Sequence, residues 1–323
     1  MKKMFHVCIA SHNEVMFRNP DDFKRATNCW AVALSNQEST SLAHSFMSDH
    51  IHFGVRTDNP ALLVKRFRDS YNKYFNHKYL RKGALGDKSY FCIELDGVYH
   101  TLAAISYILR NCVHHGVCAS PFAYPYSSAC CYFREELNQG RLPTHKQDFA
   151  VRRNYLSKNI AVPSNYCFDS EGIIAQESYT EINYLRSLYG THRSFLYYMN
   201  RLTSDEWQQE QQKDNNNLQI ITLPIIEQGG STSYSEMLAN EKGRFNNHRL
   251  TDIDLCQIID TRYVPAFKKQ SYCQLTEMEK SKIMQDLKKK QYVADKQLMR
   301  CLGGVEGVED VVKKSGKRVT TFG

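Results

Sequence analysis

Between Met4 and Val113 the chain alternates between two hydrophobic periods, and this alternation constrains its fold more than any other feature. Side chains recur on one face every second residue in a strand and every three to four residues in a helix. Met4–His12 reads as a strand. A helix opens at Asp21-Asp22, whose carboxylates suit a first turn, and runs to about Asn36. Strands follow at Ser41–Met47 and Asp49–Val55. Leu62, Leu63, Phe67 and Tyr71 give Pro60–Tyr74 the spacing of a second helix. Ser89–Leu95 alternates as a strand up to an Asp96-Gly97 turn, and Val98–Val113 is again helical. The order β-α-β-β-α-β-α implies an α+β sandwich, with helices against an antiparallel sheet.

That unit is expected to end near residue 135, after Pro121–Ser128. Residues 136–220 read as an accessory, mostly helical region, and 221–274 as a connecting region. Within them Thr203–Asn217 is Gln/Asn-rich and Gln228–Ser233 is a Gly/Ser turn cluster. Residues 275–323 read as a helical segment, with strong patterning over Leu275–Gly303. A hydrophobic fraction of 42% and a charged fraction of 24% exclude wholesale disorder and fit a soluble globular protein. No apolar run approaches the roughly 18 residues of a membrane span. His6, His12, Asn13 and Glu14 break any signal-like core at the start, so the expected location is cytoplasmic. The 11 cysteines have no regular spacing and no C-x-x-C pair, which points to reduced, mostly buried thiols.

Two clusters can carry chemistry. In a strand, His50, His52 and Gly54 share one face, while Ile51, Phe53 and Val55 share the other. Two adjacent imidazoles suit a divalent metal held by neutral ring nitrogens, or are simply surface or hydrogen-bonded histidines. In the helix at 98–113, Val98, Leu102, Ile105, Leu109 and Cys112 form an apolar face. His100, Tyr107, Asn111 and His114 fall opposite, with Tyr107 and Asn111 one turn apart. A metal on His50 and His52, completed by the Asn111 amide oxygen, would stand beside the Tyr107 hydroxyl. A phosphate polarised there could be attacked by Tyr107, leaving the 5′ side as a phosphotyrosine and a free 3′-hydroxyl. A surface or packed tyrosine is the alternative reading.

The formal charge of +8 fits a polyanionic partner. Lys65, Arg66, Arg68, Lys78, Arg81 and Lys82 are interleaved with Phe67, Tyr71, Tyr74, Phe75 and Tyr79. Cations track phosphates and rings stack on unpaired bases, although Phe67 and Tyr71 also suit a core. Arg110 and His114, close to the tyrosine, join the candidate DNA contacts.

His50-Ile-His52, then Tyr107-Ile-Leu-Arg-Asn111, His115-Gly116 and Tyr124-Pro-Tyr-Ser-Ser128, resemble the single-tyrosine HUH transposases, in particular the REP-associated tyrosine transposases. Phe5-His-Val and Arg81-Lys-Gly83 also fit, and the resemblance covers about residues 4–133. It implies a ferredoxin-like or RRM-like α+β fold, a Mg²⁺ or Mn²⁺ ion, and cleavage and rejoining of single-stranded DNA, often at hairpin repeats. By motif position His50 and His52 match the metal ligands, Tyr107 the nucleophile and Asn111 a polar third ligand. Two departures mark a divergent branch. Cys112 stands where the family usually has Pro, and Tyr126 where it has Trp.

Leu275–Lys280 and Ala294–Gly304 are like the helical DNA-binding segments of some members, with a second helix expected at Val308–Lys314 as in a helix-turn-helix. Lys296 and Arg300 are the DNA contacts expected there. Residues 1–140 hold 16 Lys/Arg against 12 Asp/Glu, and the last 44 hold 11 against 5, so the positive charge concentrates at the two ends. The expected partner is single-stranded or hairpin DNA, with no membrane and with room for a homodimer. The expected function is a DNA-nicking, strand-transferring transposase. A domesticated DNA- or RNA-binding protein that does not cut is the rival, and a replication-initiator-like nickase is a third option.

Overall fold

The structure is a computed structural model and describes residues 2–138, 149–201, 205–214, 217–227, 250–291 and 293–304. The first half follows the pattern read from the sequence: β1 (Lys3–Ala10), α1 (Pro20–Ser35), β2 (Thr40–Phe46), β3 (His50–Thr57), α2 (Pro60–Lys78), β4 (Phe91–Leu95) and α3 (Val98–His114). The strands form one sheet in the order β2-β3-β1-β4, and all neighbours are antiparallel. This is the β-α-β-β-α-β ferredoxin-like arrangement with a third helix added. Helices α1 and α2 cover one face of the sheet, and α3 lies on the other.

Alternation along the strands sorts side chains between these faces. Val7 and Ile9 of β1 and Ile51, Phe53 and Val55 of β3 enter the core beneath α1 and α2. There Trp30 stacks on Phe53 with ring centroids 3.7 Å apart. His6, Cys8, His50, His52 and Gly54 take the opposite face, toward α3. Gly54 permits that approach, because a Cβ there would stand 2.6 Å from Ile105 Cδ1.

Helix α3 departs from its expected amphipathic reading. Its apolar face is present, with Leu102, Ile105 and Leu109 in a core shared with Leu185, Tyr189 and Phe195. Those partners come from helices Ile182–Tyr189 and His192–Asn200. Its opposite face is not solvated: Tyr107 and Asn111 are buried, while Val98 is exposed. Tyr107 packs with Leu95, Ala103 and Ala104 against Trp207, Ile221 and Ile226. The same accessory stretch caps the helix, since the backbone N–H groups of Val98 and His100 donate to the Asp214 carboxylate at 3.0 and 2.6 Å.

The C-terminal helices belong to the main core. Leu255, Ile259, Tyr272, Ile283, Leu287 and Leu298 are in one apolar cluster with the residues of α1 and α2. Arg18 is fully buried where they meet and donates to both Asp260 carboxylate oxygens, at 2.9 and 2.7 Å, and to the Cys301 carbonyl at 2.6 Å. Helices Glu277–Lys290 and Asp295–Cys301 are formed as expected, and Gly303 and Gly304 end the second with positive φ. The helix expected at Val308–Lys314 and the turn cluster at Gln228–Ser233 lie outside the described residues.

Candidate metal and tyrosine site

The two sequence clusters meet between β3 and α3. Strand β3 presents His50 and His52 two residues apart, and α3 presents Tyr107 and Asn111 one turn apart. His50 Nε2 stands 3.0 Å from Asn111 Oδ1. The His52 and Tyr107 rings meet edge-on with centroids 5.3 Å apart, and the His50 and His52 rings are 5.1 Å apart. The four residues picked from the sequence therefore converge.

Several residues join them, and of these only His114 had a role from the sequence, as a DNA contact. On β1, His6 Nε2 lies 2.9 Å from His52 Nδ1, and Cys8 Sγ lies 3.9 Å from His52 Nε2. Asp49 Oδ1 lies 2.8 Å from His50 Nδ1. The His115 ring is 4.7 Å from that of His50. Glu227 Oε1 lies 2.5 Å from His114 Nε2, and the His114 ring is 5.6 Å from Tyr107. His6 and Cys8 carried one signal, an i, i+2 pair on a strand, but nothing in the sequence names the neighbouring strand. Glu227 carried none.

Burial sets the charge state. It pushes His6 down to about 3. His52 and His115 are also held well below the usual histidine range, first by burial and then by neighbouring imidazoles. These rings are neutral and keep a lone pair for a ligand. Burial, followed by the charges of Glu227 and Cys8, pushes the Tyr107 phenol well above its usual value, with Asn111 pulling the other way.

His50 Nε2 and Asn111 Oδ1 are spaced as two ligands of a small octahedral cation would be, while the two ring nitrogens of His52 face His6 and Cys8 on β1. His50 stands between two oxygens, Asp49 Oδ1 at Nδ1 and Asn111 Oδ1 at Nε2. In the tautomer that gives Nδ1–H to Asp49, the Nε2 lone pair faces the Asn111 side. Two ligands at right angles, each about 2.1 Å from one ion, stand about 3.0 Å apart, which matches the observed contact. A carboxylate behind a ligating histidine is the usual supporting partner. Among the described residues no group of three or more His, Cys, Asp or Glu side chains is arranged to hold a metal.

The expected DNA contacts are scattered. Lys65 pairs with Asp69, Arg66 donates to the Asn36 carbonyl, and Arg68 donates to the carbonyls of Lys88 and Ser89. All three lie on α2, across the sheet from Tyr107. The aromatic residues among them are core: Phe67, Tyr71 and Phe75 are fully buried. Tyr74, Lys78 and Tyr79 all donate to the Asp22 carboxylate at the start of α1. Arg81 is bound to Glu14 and to loop carbonyls, and Lys82 is exposed in the same loop. Arg110 is half-buried, and burial together with Arg201 lowers it from the usual arginine range. His114 joins the site through Glu227. Lys296 is exposed. Arg300 departs from its expected role: it is buried, and its guanidinium is committed to Asp252 at 2.7 and 2.8 Å, so it is not presented to a phosphate.

The Tyr124–Ser128 motif is structural. The Tyr124 hydroxyl donates to the Phe46 carbonyl at 2.6 Å, Tyr126 stacks on Phe23, and the Ser128 hydroxyl accepts from the His44 N–H at 2.9 Å. It fastens the chain after α3 to the edge strand β2. No helix among the described residues is long and apolar enough to cross a membrane.

No family model and no curated protein matches the sequence. Among solved structures, the chain is similar to a REP-associated tyrosine transposase bound to a REP hairpin. The TM-score is 0.35 and the identity 10%, with 51% of this chain and 91% of that chain covered.

Proposed function

We propose that this chain is a metal-dependent, single-stranded DNA transposase or endonuclease that cuts and rejoins DNA through Tyr107. The observation that carries the reading is the 3.0 Å contact of His50 Nε2 with Asn111 Oδ1, one helical turn from Tyr107. The motif resemblance supports it independently.

In this reading His50, His52 and Asn111 hold Mg²⁺ or Mn²⁺. When bound, the ion polarises a phosphodiester and offsets the charge that develops on it. Tyr107 Oη forms a bond to phosphorus as the bond to the 3′-oxygen breaks. The phenol proton leaves and the 3′ end departs as a hydroxyl. The 5′ phosphate stays on the tyrosine, and attack by a 3′-hydroxyl reverses the step. Asn111 orients Tyr107, and Asp49 fixes the His50 tautomer that frees Nε2. The Trp207, Ile221 and Ile226 side chains exclude water from the phenol and must withdraw for a strand to reach it.

The test is covalent capture of a 3′-labelled hairpin oligonucleotide under Mn²⁺. Wild type forms an adduct that survives denaturation, and Tyr107→Phe forms none while still binding the oligonucleotide. An adduct with Tyr107→Phe removes the tyrosine from the mechanism. A second reading, a DNA- or RNA-binding protein that does not cut, is favoured by one observation: Tyr107 is only 5% exposed. Binding by wild type without cleavage in either Mg²⁺ or Mn²⁺ selects that reading.

A further inference from the structure

We infer that the C-terminal helical unit is a working part of the metal site, with Asp49 and Arg300 as positioning residues that act through His50. The inference rests on the metal reading above and extends it to a segment more than 200 residues away in the chain.

Its basis is a buried chain of contacts. His50 Nδ1 meets Asp49 Oδ1 at 2.8 Å. Asp49 Oδ2 lies 3.9 Å from Arg300 Nε, and Arg300 is held by both Asp252 oxygens. Gln297 donates to Asp252 at 2.9 Å, and so does the Ser48 hydroxyl at 2.7 Å. The Asp252 carboxylate thus grips the turn leading into β3 through Ser48. The Arg300 backbone carbonyl accepts from the Val15 N–H at 3.2 Å in the loop between β1 and α1, whose Met16 N–H donates to the Ser48 carbonyl at 2.7 Å.

Charge makes the chain more than a clasp. Asp49, Asp252 and Arg300 are all buried, and two carboxylates face one guanidinium. A buried charge without a partner is costly. The surplus negative charge lies behind His50 Nδ1, where it polarises the ring and strengthens Nε2 as a donor to a cation in front. Arg300 offsets part of that charge and keeps the Asp49 carboxylate aimed at the imidazole. The C-terminal unit therefore sets both the position and the strength of one ligand.

The experiment is calorimetric titration of Mn²⁺ alone into the full chain. Asp49→Asn is expected to weaken Mn²⁺ binding by about 10- to 100-fold with its circular dichroism unchanged. Arg300→Gln is expected to weaken binding as well, and the double variant to be no weaker than Asp49→Asn alone, because both act through one carboxylate. Where Arg300→Gln does not fold, Asp252→Asn replaces it. That change lets the guanidinium close on Asp49 and draw it from His50, and the same non-additivity is expected. Wild-type affinity in Asp49→Asn, or additive losses in the double variant, overturns this inference while leaving the metal reading standing. No Mn²⁺ binding by wild type overturns the metal reading and this inference with it.

Discussion

Glu227 and His114 meet at 2.5 Å, and this contact closes residues 217–227 over the phenol of Tyr107. The same accessory stretch holds the other end of α3 through Asp214. A helix offers positive charge at its N-terminus and negative charge at its C-terminus. The carboxylate of Asp214 suits the N-terminal end, and Glu227 holds His114 at the other. Burial of Ile221 and Ile226 between them keeps the cover in place.

Loosening the cover should therefore expose Tyr107. Ile226→Ala removes a fully buried side chain from a short segment, which costs about 2–5 kcal/mol where it is felt. If the loss falls on local opening, the opened fraction rises by about 30-fold or more. Nitration of the native protein, read at Tyr107 by peptide mass spectrometry, should accelerate by that factor. Unchanged nitration would mean that these residues do not gate the tyrosine.

A second prediction concerns the sheet face under α3. Gly54→Ala places a Cβ 2.6 Å from the flexible end of Ile105, which can turn aside, so it should cost about 1 kcal/mol. Gly54→Val cannot be accommodated that way and should cost about 1–3 kcal/mol. Adding Ile105→Val should return part of the loss, because the two positions share one contact. Urea unfolding of the three variants measures this, and strictly additive losses would show that the contact does not limit the approach of α3.

The sheet and the facing of His50, His52 and Gly54 were legible because strand alternation is a local property. Tyr107 and Asn111 were legible for the same reason, from helical spacing. What surrounds them was not. His6 becomes a partner of His52 only once β1 is known to lie beside β3. Tyr107 read as part of a polar face because a helix buried on two sides has the same local pattern as an amphipathic one when its second cover begins about 100 residues later. The basic and aromatic run on α2 misled in the opposite direction. Phe67, Tyr71 and Phe75 are spaced as a core stripe, and Asp22 claims the polar ends of Tyr74, Lys78 and Tyr79. Arg300 looked like a free cation because its carboxylate partner is 48 residues away in the chain.

Arg18 ties the C-terminal unit to the sheet domain. Its guanidinium lies 3.6 Å above the Tyr272 ring and pairs with Asp260, whose side chain is 27% exposed. Arg18→Met should cost about 3 kcal/mol, at the lower end for a broken buried pair because Asp260 regains water. Asp260→Asn should cost less, and the two losses should not add. Limited proteolysis should then cut residues 250–304 sooner than residues 2–138. Uniform cleavage would show that the pair stabilises the whole chain instead of this junction.

The buried histidines make stability depend on pH with a definite sign. Burial pushes His6 and His44 down to about 3, and it lowers His52 and His115 as well. In the unfolded chain each returns to about 6.5. Above that value both states are neutral and the full stability is present. Below it the unfolded state binds protons that the folded state refuses, so stability falls as pH falls from 6.5 toward 3. Each histidine contributes a loss of about 1 kcal/mol between pH 6.5 and 5.5. His44 isolates the effect, because it lies on β2 away from the tyrosine and both its ring nitrogens are buried without a hydrogen-bond partner. His44→Leu removes those polar atoms and should raise stability at pH 7.5 by about 1 kcal/mol. It should also reduce the drop between pH 7.5 and 5.5 by about 1 kcal/mol. Urea midpoints at the two pH values decide it, and an unchanged drop in His44→Leu would show that this ring does take up a proton in the folded state.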